Sequence, residues 1–303
     1  MPSNKFSPRR RSHKRPPICL SIPPRRILTP YPPPYYGSIA GARPPANYHQ
    51  IHAVSRPTDP PFPRIHRRNL IAHLYAPLDS WEWRHMVIEL QRHWPLFNGK
   101  KIIAIPTAKD LHPPHVLQSY FPPGATFIHT PNDRRLREVA TFLPLLQRIR
   151  SLNKHEATFY CHSKGTSPFH VDRPNTPQAI RLWTTHLFWA CLTQWKRIHQ
   201  LLKHHAAASA YLIDYSGIPN HRMTSPTGLT LGTWHFAGTF FWFRNEQIFS
   251  RKFWSAIPDD PFAAEMWLGS FVPAGLAGSL PPTWHPPKTN PPDLYEPGPH
   301  PTH

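Results

Sequence analysis

Two short stretches of this 303-residue chain hold side chains whose types and spacing suit anion binding. Residues 159–165 read FYCHSKG, an apolar run ending in His162 and Lys164, an imidazole and an ammonium two positions apart, with Gly165 after them. Residues 234–245 read WHFAGTFFWFRN, an aromatic run that carries His235 and contains Ala237, Gly238 and Thr239, where missing bulk lets a ligand approach the backbone. Both read as strands, and a helical span lies between them. Polar groups at strand ends are where α/β proteins keep their ligands, so the expectation is a site for an anionic, phosphorylated small molecule. Plainer readings stand beside it. Lys164–Gly165 also reads as a basic turn, and with 22 histidines in the chain most must be surface or packing residues. Trp234, Phe240, Phe241, Trp242 and Phe243 read as core, and Arg244 as a solvated strand end.

The elements that must position these groups alternate between two periods. Residues 69–75 (NLIAHLY) predict a strand, and Ser80 is placed to cap a helix from 81 to about 94 that repeats Trp83, Val87, Leu90 and Trp94 on one face. A strand at 101–105 follows, then a weaker helix around 115–120 and a strand at 126–129. Asn132 or Asp133 is expected to cap a helix over 135–152, which leads directly into FYCHSKG. A long helix is expected over 178–204, then a short strand from 210 to 213 ending at Asp214, the aromatic strand, and a helix holding Glu265 and Trp267. Strands separated by helices predict an α/β fold, a mostly parallel sheet with helices on both faces.

Composition separates this core, residues 69–280, from two tails. Residues 1–68 hold 13 Lys and Arg against one acid, Asp59, and 16 of the 42 prolines, so 12 of the 19 net positive charges lie there. Like charge, paired prolines and few aliphatics predict a disordered, partly polyproline arm. Residues 281–303 return to that style and are expected to be a disordered Pro-rich tail. The rest of the chain, 69–303, carries 22 basic against 15 acidic residues, a mild balance. Cys19, Cys161 and Cys191 are too few for a disulfide framework and suit a reducing cytoplasm. The expectation is a cytoplasmic protein, with peripheral association at the inner membrane face through the basic tail as the membrane alternative.

The segments NLIAHLYAP, HWPLFNGKK, NDRRLREVATFLPLL, ATFYCHSKGT and WHFAGTFFWFRN resemble bacterial glycosyltransferase-like proteins of GT-A type. The later ones are similar to the rhamnan synthesis F-like family of polysaccharide assembly. The resemblance covers about 69–270 and neither tail. It implies a GT-A-like domain that binds a nucleotide-sugar donor and transfers the sugar to a glycan or related acceptor. His162, Lys164, Gly165, His235, Gly238 and Thr239 become the expected substrate-binding residues. An inverting transfer needs a carboxylate to take the acceptor's proton; the candidates are Glu265, which the resemblance favours, Asp214, and the pair Asp259 and Asp260.

One departure bears on cofactors. Many GT-A enzymes hold a divalent metal with an Asp-x-Asp at a strand end, and here His162-Ser163-Lys164 takes that place in the order. Ammonium and imidazole are poor ligands for a hard cation. No cofactor is therefore assigned, a divalent metal stays open, and Lys164 helped by His162 is expected to neutralise the departing diphosphate itself. Two other classes remain: a non-catalytic GT-A-like module that binds glycan or a partner, and a nucleic-acid-binding protein acting through the basic tail, disfavoured because the core lacks a nucleic-acid motif.

Overall fold

A computed structural model describes residues 60–164, 176–214 and 232–280. The two tails, Gly165 and the polar loop after Asp214 lie outside the described residues, apart from the short stretch 60–68. In chain order the elements are β1 (Arg67–His73), α1 (Glu82–Arg92), β2 (Lys101–Thr107), α2 (Pro114–Gln118), β3 (Thr126–Pro131), α3 (Val139–Ile149) and β4 (Glu156–His162). They continue with α4 (Thr176–Phe188), α5 (Trp195–Leu201), β5 (Ala207–Ala210), β6 (Leu212–Asp214), β7 (Trp234–Phe236), β8 (Phe241–Arg244), α6 (Asn245–Phe249), α7 (Ala263–Met266) and β9 (Ala277–Leu280).

Seven strands form one sheet in the order β3-β2-β1-β4-β8-β5-β9, and β6 pairs with β7 in a separate ribbon. Every neighbouring pair in the large sheet is parallel except those of β8, which runs antiparallel to β4 and β5. The chain lays β2 and β3 on one side of β1 and then crosses to place β4 on the other. The order therefore reverses between β1 and β4, and a crevice opens at their carboxyl ends. Register is set so that His73 at the end of β1 lies directly across from His162 at the end of β4.

Alternation along the strands feeds two cores. Leu70 and Ala72 of β1, Ile103 and Ile105 of β2, and Phe159 and Cys161 of β4 pack with Trp83, Val87 and Leu90 of α1 and with Leu187, Phe188 and Ile198 of the α4–α5 layer. Ile71, Ala104, Tyr160, Phe241 and Phe243 face the other way, against Phe142, Leu145 and Leu146 of α3 and Trp267 beyond α7. Phe97 stacks near Phe159 and Trp242, with centroids 6.1 and 5.8 Å apart. Strands this apolar on both faces are what a covered, mainly parallel sheet requires. The amino-terminal edge is closed by polar groups: Thr158 Oγ1 donates to Asn245 Oδ1 at 2.7 Å, and Asn245 Nδ2 donates to the Ile149 carbonyl at 3.1 Å.

The sequence expectation is corrected at six places. The aromatic run is two strands in two sheets, because Gly238 (φ +91°) and Thr239 (φ +60°) turn the chain out of β7 and into β8. The segment ending at Asp214 is likewise split, β5 from β6, at Tyr211 with φ +55°. The helix expected from 135 starts only at Val139, since Arg137 at φ +55° breaks it; Asp133 instead accepts the amides of Arg135 and Leu136 in the preceding turn. The long helix over 178–204 is interrupted by a π turn at Trp189–Thr193, where the Cys191 carbonyl accepts the Trp242 indole N–H at 2.8 Å. Arg244 is not solvated: it is 2 % exposed, and its guanidinium donates to the carbonyls of Leu202, Pro63 and Lys154. Ser80 is not the cap of α1, a place Trp81 takes without a side-chain bond; the Ser80 hydroxyl accepts the Glu82 amide at 3.4 Å.

Candidate functional site

At the carboxyl ends of β1 and β4, Ser163 ties the two strand exits together. Its amide donates to the His73 carbonyl at 2.9 Å, its hydroxyl accepts the Tyr75 amide at 2.7 Å, and that hydroxyl donates to the Tyr75 carbonyl at 2.9 Å. With Ser163 so held, the side chains on either side of it are fixed at the crevice. His162 is buried and Lys164 is half-buried at the end of the strand exit.

Five further side chains join them from distant parts of the chain. Glu138, in the turn before α3, brings Oε1 to 3.9 Å from His162 Nδ1. Thr141 in α3 lies 2.7 Å from His73 Nδ1, and its hydroxyl is placed to donate to the Glu138 carbonyl at 3.1 Å, which assigns the His73 proton to Nδ1. Glu265 in α7 accepts the Gly238 amide on Oε1 at 2.9 Å, and the same oxygen is 3.9 Å from His235 Nε2. Lys164 acts electrostatically on His162, Glu138 and His235, and Glu265 on the same three. The crevice thus gathers one ammonium, two carboxylates and three imidazoles.

Charge in this cluster is set chiefly by burial. Loss of solvent drives His162 down to about 3, with Lys164 pushing the same way and Glu265 opposing. Burial takes His73 to about 4, opposed by Glu138. His235 is lowered by the same cause, while Glu138 is raised by it. The expectation of a second, potentially cationic partner beside Lys164 is therefore corrected: His162 is a neutral imidazole at neutral pH, buried against the backbone of Gly238 and Ser163.

Neutral buried histidines have a measurable consequence. The unfolded chain takes protons on these imidazoles from about pH 6.5 downward, whereas the folded protein resists until about 4 for His73 and about 3 for His162. Stability is complete above that window and is lost as pH falls through it, by about 1.4 kcal/mol per pH unit per histidine. Glu138 acts in the opposite sense, since acid relieves the cost of its buried charge. Urea denaturation is expected to show a clear loss of stability between pH 7.5 and 5, and a smaller loss in His73→Asn. A flat profile would contradict the assignment.

The reason expected for Gly238 is also corrected. A Cβ there would lie 2.7 Å from Leu187 Cδ1 and 3.2 Å from Trp183 Nε1, so α4 side chains fill that space. Its amide is engaged by Glu265, and Thr239 is buried. These two residues shape the turn that presents Glu265. Gly238→Ala is expected to cost about 2–4 kcal/mol, from the left-handed backbone and the clash together, read as a lower urea midpoint.

Of the other expected carboxylates, Asp214 pairs with Trp234 at the end of the β6–β7 ribbon away from the Gly238 turn. Paired residues share a face, so it lies on the face opposite His235. Asp260 is buried and its Oδ1 accepts the Phe262 amide at 2.8 Å, a structural role; the Asp259 carbonyl accepts from Arg135. Sequence reasoning missed His73, Glu138, Thr141 and Ser163. The signal for His73 was its position at the end of the first strand; Glu138 had none, because an unbroken helix from 135 would have hidden the turn that aims it. Among the described residues no three His, Cys, Asp or Glu side chains form a metal-ligating group, and no helix is long and apolar enough to cross a membrane. A cavity of about 490 Å³ lined by Ile257, Pro258, Met266 and Trp267 contains no member of the cluster. No protein-family model matches the chain, and no characterised protein matches it significantly.

Proposed function

We propose that this protein is a glycosyltransferase of GT-A-like architecture that takes a sugar from a nucleotide-sugar donor and passes it to a glycan or related acceptor. The observation that carries the reading is that Lys164 and Glu265, about a hundred residues apart, both act on His162, which ends β4 at the crevice where the strand order reverses. That is the place at which doubly wound sheets hold nucleotides.

In an inverting transfer, Glu265 takes the proton of an acceptor hydroxyl as its oxygen bonds to the anomeric carbon. The bond from that carbon to the diphosphate oxygen breaks, and the nucleoside diphosphate leaves with the electron pair. Lys164 neutralises the charge that develops there, an effect strengthened where water is excluded. The Gly238 N–H holds one oxygen of Glu265 and leaves the other for the acceptor. His162, uncharged, leaves Lys164 as the cation of the cluster. With two carboxylates in the cluster, one of them held by a backbone amide, divalent-metal assistance has few oxygen donors to use.

Thermal denaturation of the full chain with UDP-, GDP-, dTDP- and CMP-sugars, each in Mn²⁺ and in EDTA, tests this. One nucleotide class is expected to raise the midpoint by roughly 5–10 °C at a hundredfold excess over Kd, and to do so in EDTA. No shift with any donor would remove the reading in favour of a non-catalytic module; a shift seen only with Mn²⁺ would remove the metal-independent role of Lys164.

A further inference from the structure

The two places where strands leave the large sheet coincide. Tyr211, between β5 and β6, and Gly238 with Thr239, between β7 and β8, all have left-handed backbones, and the Ala237 amide donates to the Tyr211 carbonyl at 3.1 Å. Glycine takes such a conformation without cost, but a bulky aromatic residue there is a true outlier, and strain of this kind collects at working sites. Its effect is to lay the Tyr211 ring against Trp183 of α4, with centroids 4.6 Å apart and planes inclined by 36°. Both rings are only partly buried, whereas Phe240 and Trp242 beside them are fully enclosed. Just beyond Trp183 the helix passes into the π turn at Trp189–Thr193, a distortion also frequent at functional sites.

This aromatic pair adjoins the carboxylate. Trp183 packs on Gly238, and the Gly238 amide holds Glu265. We infer that Trp183 and Tyr211 form the acceptor subsite, where one sugar ring of the acceptor glycan rests its C–H face on the open side of this packed aromatic pair and presents a hydroxyl to Glu265. The inference rests on the transferase reading above. A pyranose is the ligand class that fits: one face is apolar and complementary to an aromatic plane, and its rim carries the hydroxyl that a carboxylate base must reach. The donor's diphosphate is assigned to Lys164.

Saturation-transfer NMR on the full-length protein, with methyl glycosides of glucose, galactose, mannose and rhamnose as probes, tests the subsite. Tyr211→Gly removes the ring while suiting the left-handed backbone, so it keeps the fold; Trp183→Leu is the second variant. The expected result is saturation of ring C–H protons for at least one glycoside, reduced at least fivefold in both variants, with the donor-induced thermal shift unchanged. Donor shifts without glycoside saturation, or saturation equal in wild type and both variants, would overturn the subsite alone. Absence of both donor shifts and saturation would overturn the transferase reading with it.

Discussion

Lys164→Ala is expected to weaken nucleoside diphosphate binding about ten- to a hundredfold. A charge-assisted hydrogen bond to phosphate contributes about 1.5–3 kcal/mol, and about 1.4 kcal/mol is tenfold in affinity. Burial holds His162 neutral, so no second cation in the cluster compensates. The loss should come with a shallower dependence on salt, because the remaining contacts are dipolar. Lys164→Arg restores the charge and should recover much of the affinity. Calorimetric titration in EDTA gives both numbers, and an alanine variant that binds as tightly as wild type would take Lys164 out of the site.

Glu265→Gln separates binding from chemistry. The carboxamide oxygen still accepts the Gly238 N–H, so the turn at Gly238 and Thr239 keeps its support. What is lost is the ability to take a proton, and turnover is expected to fall by about 10²–10⁴ with donor affinity changed less than about threefold. Glu265→Ala differs in a telling way: it also strips the Gly238 amide of its acceptor and should cost stability by about 1 kcal/mol. Wild-type turnover in the glutamine variant would remove Glu265 from the mechanism, whereas a large loss of donor affinity would recast it as a binding group.

The sheet and its helices were legible because their signals are local. Runs such as Leu70–Ile71–Ala72 and Ile102–Ile103–Ala104 are long enough to be strands and too short to be helices, and Trp83, Val87 and Leu90 repeat at helical spacing. His162, Lys164, His235 and Glu265 were legible as chemistry-bearing residues. That they converge depends on strand order, which pairing alone decides. The misplaced helix and strand boundaries share one cause, a backbone state that no side chain announces. Arg137 and Tyr211 at positive φ break a helix and a strand where nothing in their types asks for it. Gly238 did announce a special position, but the reason lay in the helix packed on it and not in a ligand. The neutrality of His162 was equally hidden, since burial sets it and burial follows from packing of the whole domain.

The most direct test is a crystal structure of the full chain with the nucleotide-sugar that stabilises it most, grown in EDTA. Diphosphate oxygens are expected within about 3 Å of Lys164 Nζ, between the ends of β1 and β4, with the sugar directed toward Glu265. A donor seated elsewhere, for instance in the cavity beside Met266 and Trp267, would contradict that placement.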